Sequence, residues 1–335
     1  MGRPGRRSFL LAILAASAAL GPLGFVPAMA DSMHSSSPQN YAAPGPYRVQ
    51  VSLETWHDPA RNRDIPVKHY RPEGAGKAPL ILFSHGLGGS REAGETWLMH
   101  WASHGYQGLA LQHAGSDAAL LAGNPMAIRR AMRGAMTGEQ LQARLADVRF
   151  VLDELPRRAT GDPAWADADL TRIGLAGHSF GAVTTQAMAG ERLVLGPSVD
   201  DPRIRAFIAL SPSARGDEAL LNSRFTNLQR PFLSLTGTRD DGIGIGDISA
   251  ANRTLPYRHM PPGDKYLLVL EGATHMHFSG QKIRMARTPA PVESAVKAAS
   301  LAFWDAYLKD DRRARTWLQQ DFAASLAPAD RWEFK

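Results

Sequence analysis

None of the 335 residues is a cysteine, which excludes a disulfide framework, a thiolate metal site and a cysteine nucleophile together. An excess of one charge is also missing. The formal net charge is +6, and the first thirty residues hold three of the arginines and no acid, so the remainder carries only +3. No stripe of Lys and Arg with interleaved aromatics accompanies that bias, and no nucleic-acid partner is expected. Nor is there an apolar run of membrane-spanning length: Phe9 to Leu20 falls short of a span and ends at Gly21-Pro22. No internal repeat and no linker interrupts the middle of the chain.

What is present begins with an export signal. Arg3, Arg6 and Arg7 form a basic start, the apolar run follows, and Ala28-Met29-Ala30 reads as a small-x-small cleavage site. Arg6-Arg7-Ser8-Phe9-Leu10 also resembles a twin-arginine signal. Residues 1–30 are therefore expected to be a signal peptide, and the mature protein to be periplasmic or secreted with no stable membrane anchor. Asp31 to Pro46, rich in Ser, Pro and Ala, is expected to be a disordered lead-in. The remainder, 47–335, reads as a single domain. With 44% hydrophobic residues it can bury one large core, on which an exported chain without disulfides must rely.

Tyr47 to Leu53 and Ile65 to Tyr70 alternate in polarity and read as an antiparallel pair joined by the polar turn Asp58 to Asp64. From Pro79-Leu80-Ile81-Leu82-Phe83 onward, apolar runs alternate with helical patterns. Trp97 to His104 reads as a helix and Gln107 to Leu111 as a strand. Leu141, Leu145, Val148, Leu152 and Leu155 line one helix face, stopped by Pro156. Strands follow at Ile173 to Ala176, Ala206 to Leu210, Phe232 to Thr236 and Tyr266 to Leu270, and Val292 to Lys309 closes the chain as an amphipathic helix. The alternation implies an α/β fold with a mostly parallel, doubly wound sheet and an antiparallel N-terminal edge. In such sheets the site lies at the carboxyl ends of the strands. Ala114 to Gly138 fits this pattern least; Met126, Met132 and Met136 there either line a lid or substrate cleft or are ordinary packing.

The stretch Gly177-His178-Ser179-Phe180-Gly181 lies between a strand and a helix and has the G-x-S-x-G form of a nucleophile elbow. A serine in a strained corner needs neighbours without a Cβ two residues either side. A serine hydroxyl also needs an imidazole to take its proton and an acid to orient that imidazole, here in the chain order Ser, acid, His. Two strand ends supply them. Phe232 to Thr236 leads into Gly237-Thr238-Arg239-Asp240-Asp241, and Tyr266 to Leu270 into Glu271-Gly272-Ala273-Thr274-His275-Met276-His277. The expected triad is Ser179, His275 and either Asp240 or Asp241, the other aspartate being a turn or cap residue, with His277 at the surface or behind the site. His178 is expected to point away from the reacting face. His275-x-His277 lacks a third ligand at a known spacing, so neither metal nor cofactor is expected. Gly242-Ile243-Gly244-Ile245-Gly246 opens no evident helix and reads as a mobile loop, not a dinucleotide fingerprint. Two backbone N–H groups are expected to form an oxyanion hole: that of Phe180, at the helix start, and that of Leu87, in the glycine-rich Ser84-His85-Gly86-Leu87-Gly88-Gly89-Ser90.

These features, in order over most of the mature chain, resemble the α/β-hydrolase superfamily. Phe83 to Ser90, Ala102-Ser103-His104-Gly105-Tyr106, His113-Ala114-Gly115-Ser116-Asp117 and Gly177 to Gly181 are similar to the platelet-activating-factor acetylhydrolase and dienelactone-hydrolase-like bacterial group. The resemblance implies serine-esterase hydrolysis of small or lipid-like carboxylic esters, often with short acyl groups, and its usual spacing favours Asp240 over Asp241. The chain departs from it twice. Plasma-type acetylhydrolases take their acid from the loop where this chain has Ser211, and dienelactone hydrolases use a cysteine nucleophile. The same motifs also fit a cutinase-like polyester depolymerase, an acyltransferase, or, least well, a non-catalytic binding protein on this scaffold.

Overall fold

A computed structural model describes residues 1–2, 40–193, 199–242, 248–281 and 287–335. The expected signal peptide beyond Gly2, Asp31 to Gln39 of the lead-in, and Ile243 to Gly246 of the glycine-rich loop lie outside these residues. The hairpin β1 (Val49–Asp58) and β2 (Arg63–Pro72) comes first, followed by β3 (Ala78–Ser84), α1 (Glu95–Ser103), β4 (Gln107–Leu111), α2 (Pro125–Ala135) and α3 (Gly138–Gly161). Then come β5 (Ala168–His178), α4 (Phe180–Met188), β6 (Ile204–Leu210), α5 (Glu218–Phe225), β7 (Phe232–Arg239), α6 (Ala250–His259) and β8 (Lys265–Thr274). The chain closes with α7 (Ala290–Leu308), α8 (Arg312–Gln320) and β9 (Arg331–Phe334).

Every residue of β3 is buried, as a strand covered on both faces must be. Its alternate side chains feed two cores. Leu80 and Leu82 pack with Leu145, Val148 and Leu152 of α3, Ala182 and Met188 of α4, and Phe225 of α5. Ile81 and Phe83 pack with Trp97 and Trp101 of α1 and with Val296, Phe303 and Trp304 of α7. Each fully buried Leu, Ile or Phe contributes about 1.5–3 kcal/mol before chain entropy is counted.

The sheet runs β1-β2-β4-β3-β5-β6-β7-β8-β9. β4, β3, β5, β6, β7 and β8 are parallel, while β1, β2 and β9 run antiparallel to their neighbours. This is the α/β-hydrolase fold with an antiparallel edge. After β3 the chain moves outward to β4 and then returns to place β5 on the other side. The switch point therefore lies between the carboxyl ends of β3 and β5, where Ser84 is paired with Gly177.

Four local expectations need correction. The hairpin strands extend through Asp58 and Arg63, leaving a four-residue turn closed by Asn62 at φ 46°, because Trp56 is buried against Trp165 and keeps the strand extended. On β1 the alternating Val51 and Leu53 face solvent, since this is the sheet edge. Pro156 does not stop α3, which continues to Gly161. An interior proline costs about 3 kcal/mol. The turn beyond it is anchored by Arg158, which lies over the Trp56 ring at 4.1 Å and pairs with Glu54 at 2.6 Å. Finally, Asn40 to Pro46 of the expected disordered lead-in is bound to the domain. Tyr41 is buried beside Trp317, its carbonyl lies 3.0 Å from His100 Nε2, and the Ala43 carbonyl lies 2.9 Å from His104 Nε2.

Buried histidines give this fold a pH dependence of defined sign. Burial pushes His69 down to about 4, His100 to about 3 and His113 to about 4, and holds His85 and His178 well below the ordinary histidine range. The unfolded chain, with ordinary histidines near 6.5, therefore binds protons before the folded one as pH falls. Stability present above about pH 6.5 is lost as the pH falls toward about 4. Calorimetric melting in half-unit steps should show Tm declining throughout this interval; a constant Tm from pH 7 to 4 contradicts this account.

Candidate active site

β5 ends at His178, and the next residue turns the chain directly into α4. Ser179 sits in that corner at φ 56° and ψ −113°, a conformation that costs a non-glycine residue about 1–3 kcal/mol. Its neighbours let the corner close. A Cβ on Gly177 would collide with the Gly181 carbonyl, and one on Gly181 with the Ser84 carbonyl. The Ser179 N–H donates to the Leu210 carbonyl at 2.9 Å, and its own carbonyl accepts from Val183 N–H at 3.1 Å. The hydroxyl is thus fixed above the ends of β3, β5 and β6.

Ser179 Oγ lies 2.9 Å from His275 Nε2, and His275 Nδ1 lies 2.8 Å from Asp240 Oδ1. Thr236 donates its hydroxyl to Asp240 Oδ2 at 2.8 Å, so both oxygens of this fully buried carboxylate are engaged. Asp241 is exposed and accepts the Ala250 N–H at 2.9 Å, at the start of α6. His277 faces back into its own turn, where its Nδ1 accepts the Thr274 N–H at 3.1 Å. Among the described residues, no group of three His, Asp or Glu side chains is arranged to hold a metal.

His178 does not point away from the site. Its ring lies 4.7 Å from that of His275, its Nε2 donates to the His275 carbonyl at 3.0 Å, and it lines the cavity. The strained corner at Ser179 leaves His178 beneath the histidine loop. Burial keeps it neutral, so it can donate that hydrogen bond without adding charge.

Leu87 and Phe180 both border the cavity. A second buried network holds their surroundings. The Gly88 N–H donates to the Ser116 carbonyl at 2.9 Å, and Arg144 Nη1 to the His85 carbonyl at 2.7 Å. The Arg144 guanidinium also lies 4.4 Å over the Phe180 ring, and its Nε donates to Ser116 Oγ at 2.9 Å. Ser84 Oγ is 2.9 Å from His113 Nε2, and His113 Nδ1 is 2.9 Å from Asp147 Oδ2. Burial alone would push the Asp147 carboxyl up, but hydrogen bonds from His113 and Arg63 hold it down to about 2. Burial pushes the Arg144 guanidinium down to about 9.

The cavity over Ser179 and His275 has a volume of about 300 Å³. Leu87, Val183 and Met276 form apolar walls, completed by Leu121, Met132 and Met136 from the segment 114–138. Two of its three methionines therefore line a cleft, whereas Met126 is 82% exposed. No helix among the described residues is long and apolar enough to cross a membrane.

Sequence reasoning missed Arg144, Thr236 and Arg253. Arg144 carried a signal, because it falls on the same helix face as Leu141, Leu145 and Val148, where a charge must find internal partners. Arg253 lies in α6, which has no evident amphipathic pattern.

The chain matches the family model of platelet-activating factor acetylhydrolase, isoform II, over residues 60–123. That stretch contains β3, the glycine-rich loop and β4, but not Ser179, Asp240 or His275. The chain is also similar to the platelet-activating factor acetylhydrolase of Cavia porcellus, with 25% identity over 294 residues covering 76% of this chain. It spans 63% of the length of that relative.

The geometry predicts how the serine reacts. A fluorophosphonate probe should label the wild type and leave Ser179→Ala unlabelled. Asp240→Asn should slow labelling by about 10³–10⁴, as expected when the imidazole loses its orienting carboxylate, and Asp241→Asn by less than about threefold. Rapid-quench labelling measures all four. Equal slowing in the two aspartate variants would contradict the assignment of Asp240.

Proposed function

We propose that this chain is an exported serine hydrolase that cleaves carboxylic esters with short acyl groups, including lipid-like esters, through an acyl-enzyme on Ser179. The observation that carries this reading is the Ser179–His275–Asp240 chain of contacts at 2.9 and 2.8 Å beneath an apolar cavity of about 300 Å³. The similarity to acetylhydrolases supports the same reaction class. The basic and apolar N-terminal pattern supports export.

In this mechanism Ser179 Oγ attacks the ester carbonyl carbon while His275 Nε2 takes the hydroxyl proton. Asp240 keeps the other imidazole proton on Nδ1 and stabilises the imidazolium. The carbonyl oxygen becomes an oxyanion facing the N–H groups of Leu87 and Phe180, whose loss individually would cost about 10²–10³ in turnover. The tetrahedral intermediate collapses, His275 returns the proton to the leaving alkoxide, and the alcohol departs. Water then repeats the sequence on the acyl-enzyme, releasing the carboxylic acid and restoring Ser179. No cofactor takes part. The apolar wall of Leu121, Met132 and Met136 accepts the acyl or lipid-like portion of the substrate.

Hydrolysis of p-nitrophenyl esters from acetate to palmitate, by the mature protein beside Ser179→Ala, tests this reading. The expected result is highest kcat/KM at the shortest acyl groups, in line with the similarity to acetylhydrolases, with activity lost in the variant. An optimum at palmitate would overturn the short-acyl assignment. Activity retained in Ser179→Ala would overturn the mechanism, and absence of hydrolysis in both would overturn the simple-ester reading, leaving another natural bond or a scaffold that only binds.

A further inference from the structure

The acid and base stand on separate loops, after β7 and β8, and one side chain from α6 ties both to the loop after β6. Arg253 is only 2% exposed. Its Nε donates to the Asp240 carbonyl at 3.0 Å and lies 3.2 Å from Asp240 Oδ1. Nη1 donates to the carbonyl of Ser211 at 3.0 Å, and Ser211 is itself a buried residue held at φ 56°. Nη2 lies 3.0 Å from His275 Nδ1.

That last contact is not an ordinary hydrogen bond. The Asp240 carboxylate is the stronger acceptor at Nδ1, so the neutral imidazole carries its proton there and offers the guanidinium no lone pair. Arg253 therefore acts on the ring as an adjacent positive charge. The groups facing His275 are Asp240 from the end of β7, Arg253 from α6 and His178 from β5, the last kept neutral by burial. Asp241 and Arg215 bear on Arg253 with opposite signs. One anion and one cation thus flank the Nδ1 edge of the ring.

We propose that Arg253 is a positioning residue for the acid–base pair. Its planar fork fixes the turns carrying Asp240 and Ser211, and its positive charge stands against the imidazole that accepts the Ser179 proton. The proposal rests on the reading of Ser179, His275 and Asp240 as the reacting groups. A residue that only braced these loops would change stability and turnover together and leave the titration of His275 where it was. The charge adds a separate and measurable consequence.

The test is NMR titration of ¹³Cε1-labelled histidine in the mature protein, with His275 assigned by its loss in His275→Gln, alongside kcat/KM between pH 4 and 9. In Arg253→Met the His275 midpoint and the acid limb should both move upward by on the order of one pH unit. Arg253→Gln, which retains a donor for the Asp240 carbonyl, carries the same test if the methionine variant does not fold. Arg253→Lys keeps the charge without the fork, so its midpoint should stay at the wild-type value while kcat at pH 8 falls on the order of tenfold. An unmoved midpoint in the uncharged variant that folds would overturn the proposal, even where Tm and kcat fall. Failure of the esterase reading would appear separately, as wild-type protein that hydrolyses no ester while the midpoint still responds to Arg253.

Discussion

The absence of two methyl-sized groups governs the centre of this molecule. β3, β5 and α4 converge so closely at the elbow that a Cβ on Gly177 or Gly181 would occupy the space of a backbone carbonyl. Because the three elements can touch, Ser179 is driven into a left-handed corner and its hydroxyl projects above the sheet. The same convergence brings the end of β3, and with it the glycine-rich loop, beside the serine. Strand order turns that proximity into a site. β3 and β5 are adjacent at the switch point, while the loops after β7 and β8 extend along the carboxyl edge to deliver Asp240 and His275.

Beneath this edge lies a second Ser–His–Asp array with nearly the same distances. Ser84, His113 and Asp147 are linked at 2.9 and 2.9 Å, yet all three are fully buried. Hydrogen-bond geometry is common to both arrays; access differs. One serine opens onto a cavity, whereas the other is the last residue of a central strand and meets only protein. The buried array instead forms part of a polar network that includes Arg144, the His85 carbonyl and Ser116, and it stiffens the base of the loop carrying Leu87. Satisfied buried networks of this kind specify one arrangement, because each lost partner leaves a polar group without solvent.

Cations stand on both sides of the candidate site. Arg144 lies below Phe180 and the glycine-rich loop, and Arg253 lies against Asp240 and His275. Both belong to helices packed on the same face as the elbow helix, and both have main-chain carbonyls among their acceptors. A guanidinium suits this use because its rigid fork reaches several acceptors at once.

Much of this was legible along the chain because it is local. Apolar runs of strand length, the glycines two residues either side of Ser179, and an aspartate and a histidine just after later strands are each visible within a few residues. Other features depend on partners far away. Pro156 stays within a helix because Arg158 finds Trp56 and Glu54, about a hundred positions earlier. Tyr41 is ordered because Trp317 and His100 receive it. His178 turns toward the histidine loop because the His275 carbonyl is there to accept. The sequence by itself determined the class of fold, the order of the strands that carry chemistry and the residue types at their ends, since these follow from period, polarity and backbone freedom. Only the tertiary structure decided which of two adjacent aspartates meets the imidazole, which of two Ser–His–Asp arrays is open, and that Arg253 joins three loops. Those outcomes depend on which distant side chains are brought within about 3 Å, the range over which hydrogen bonds act.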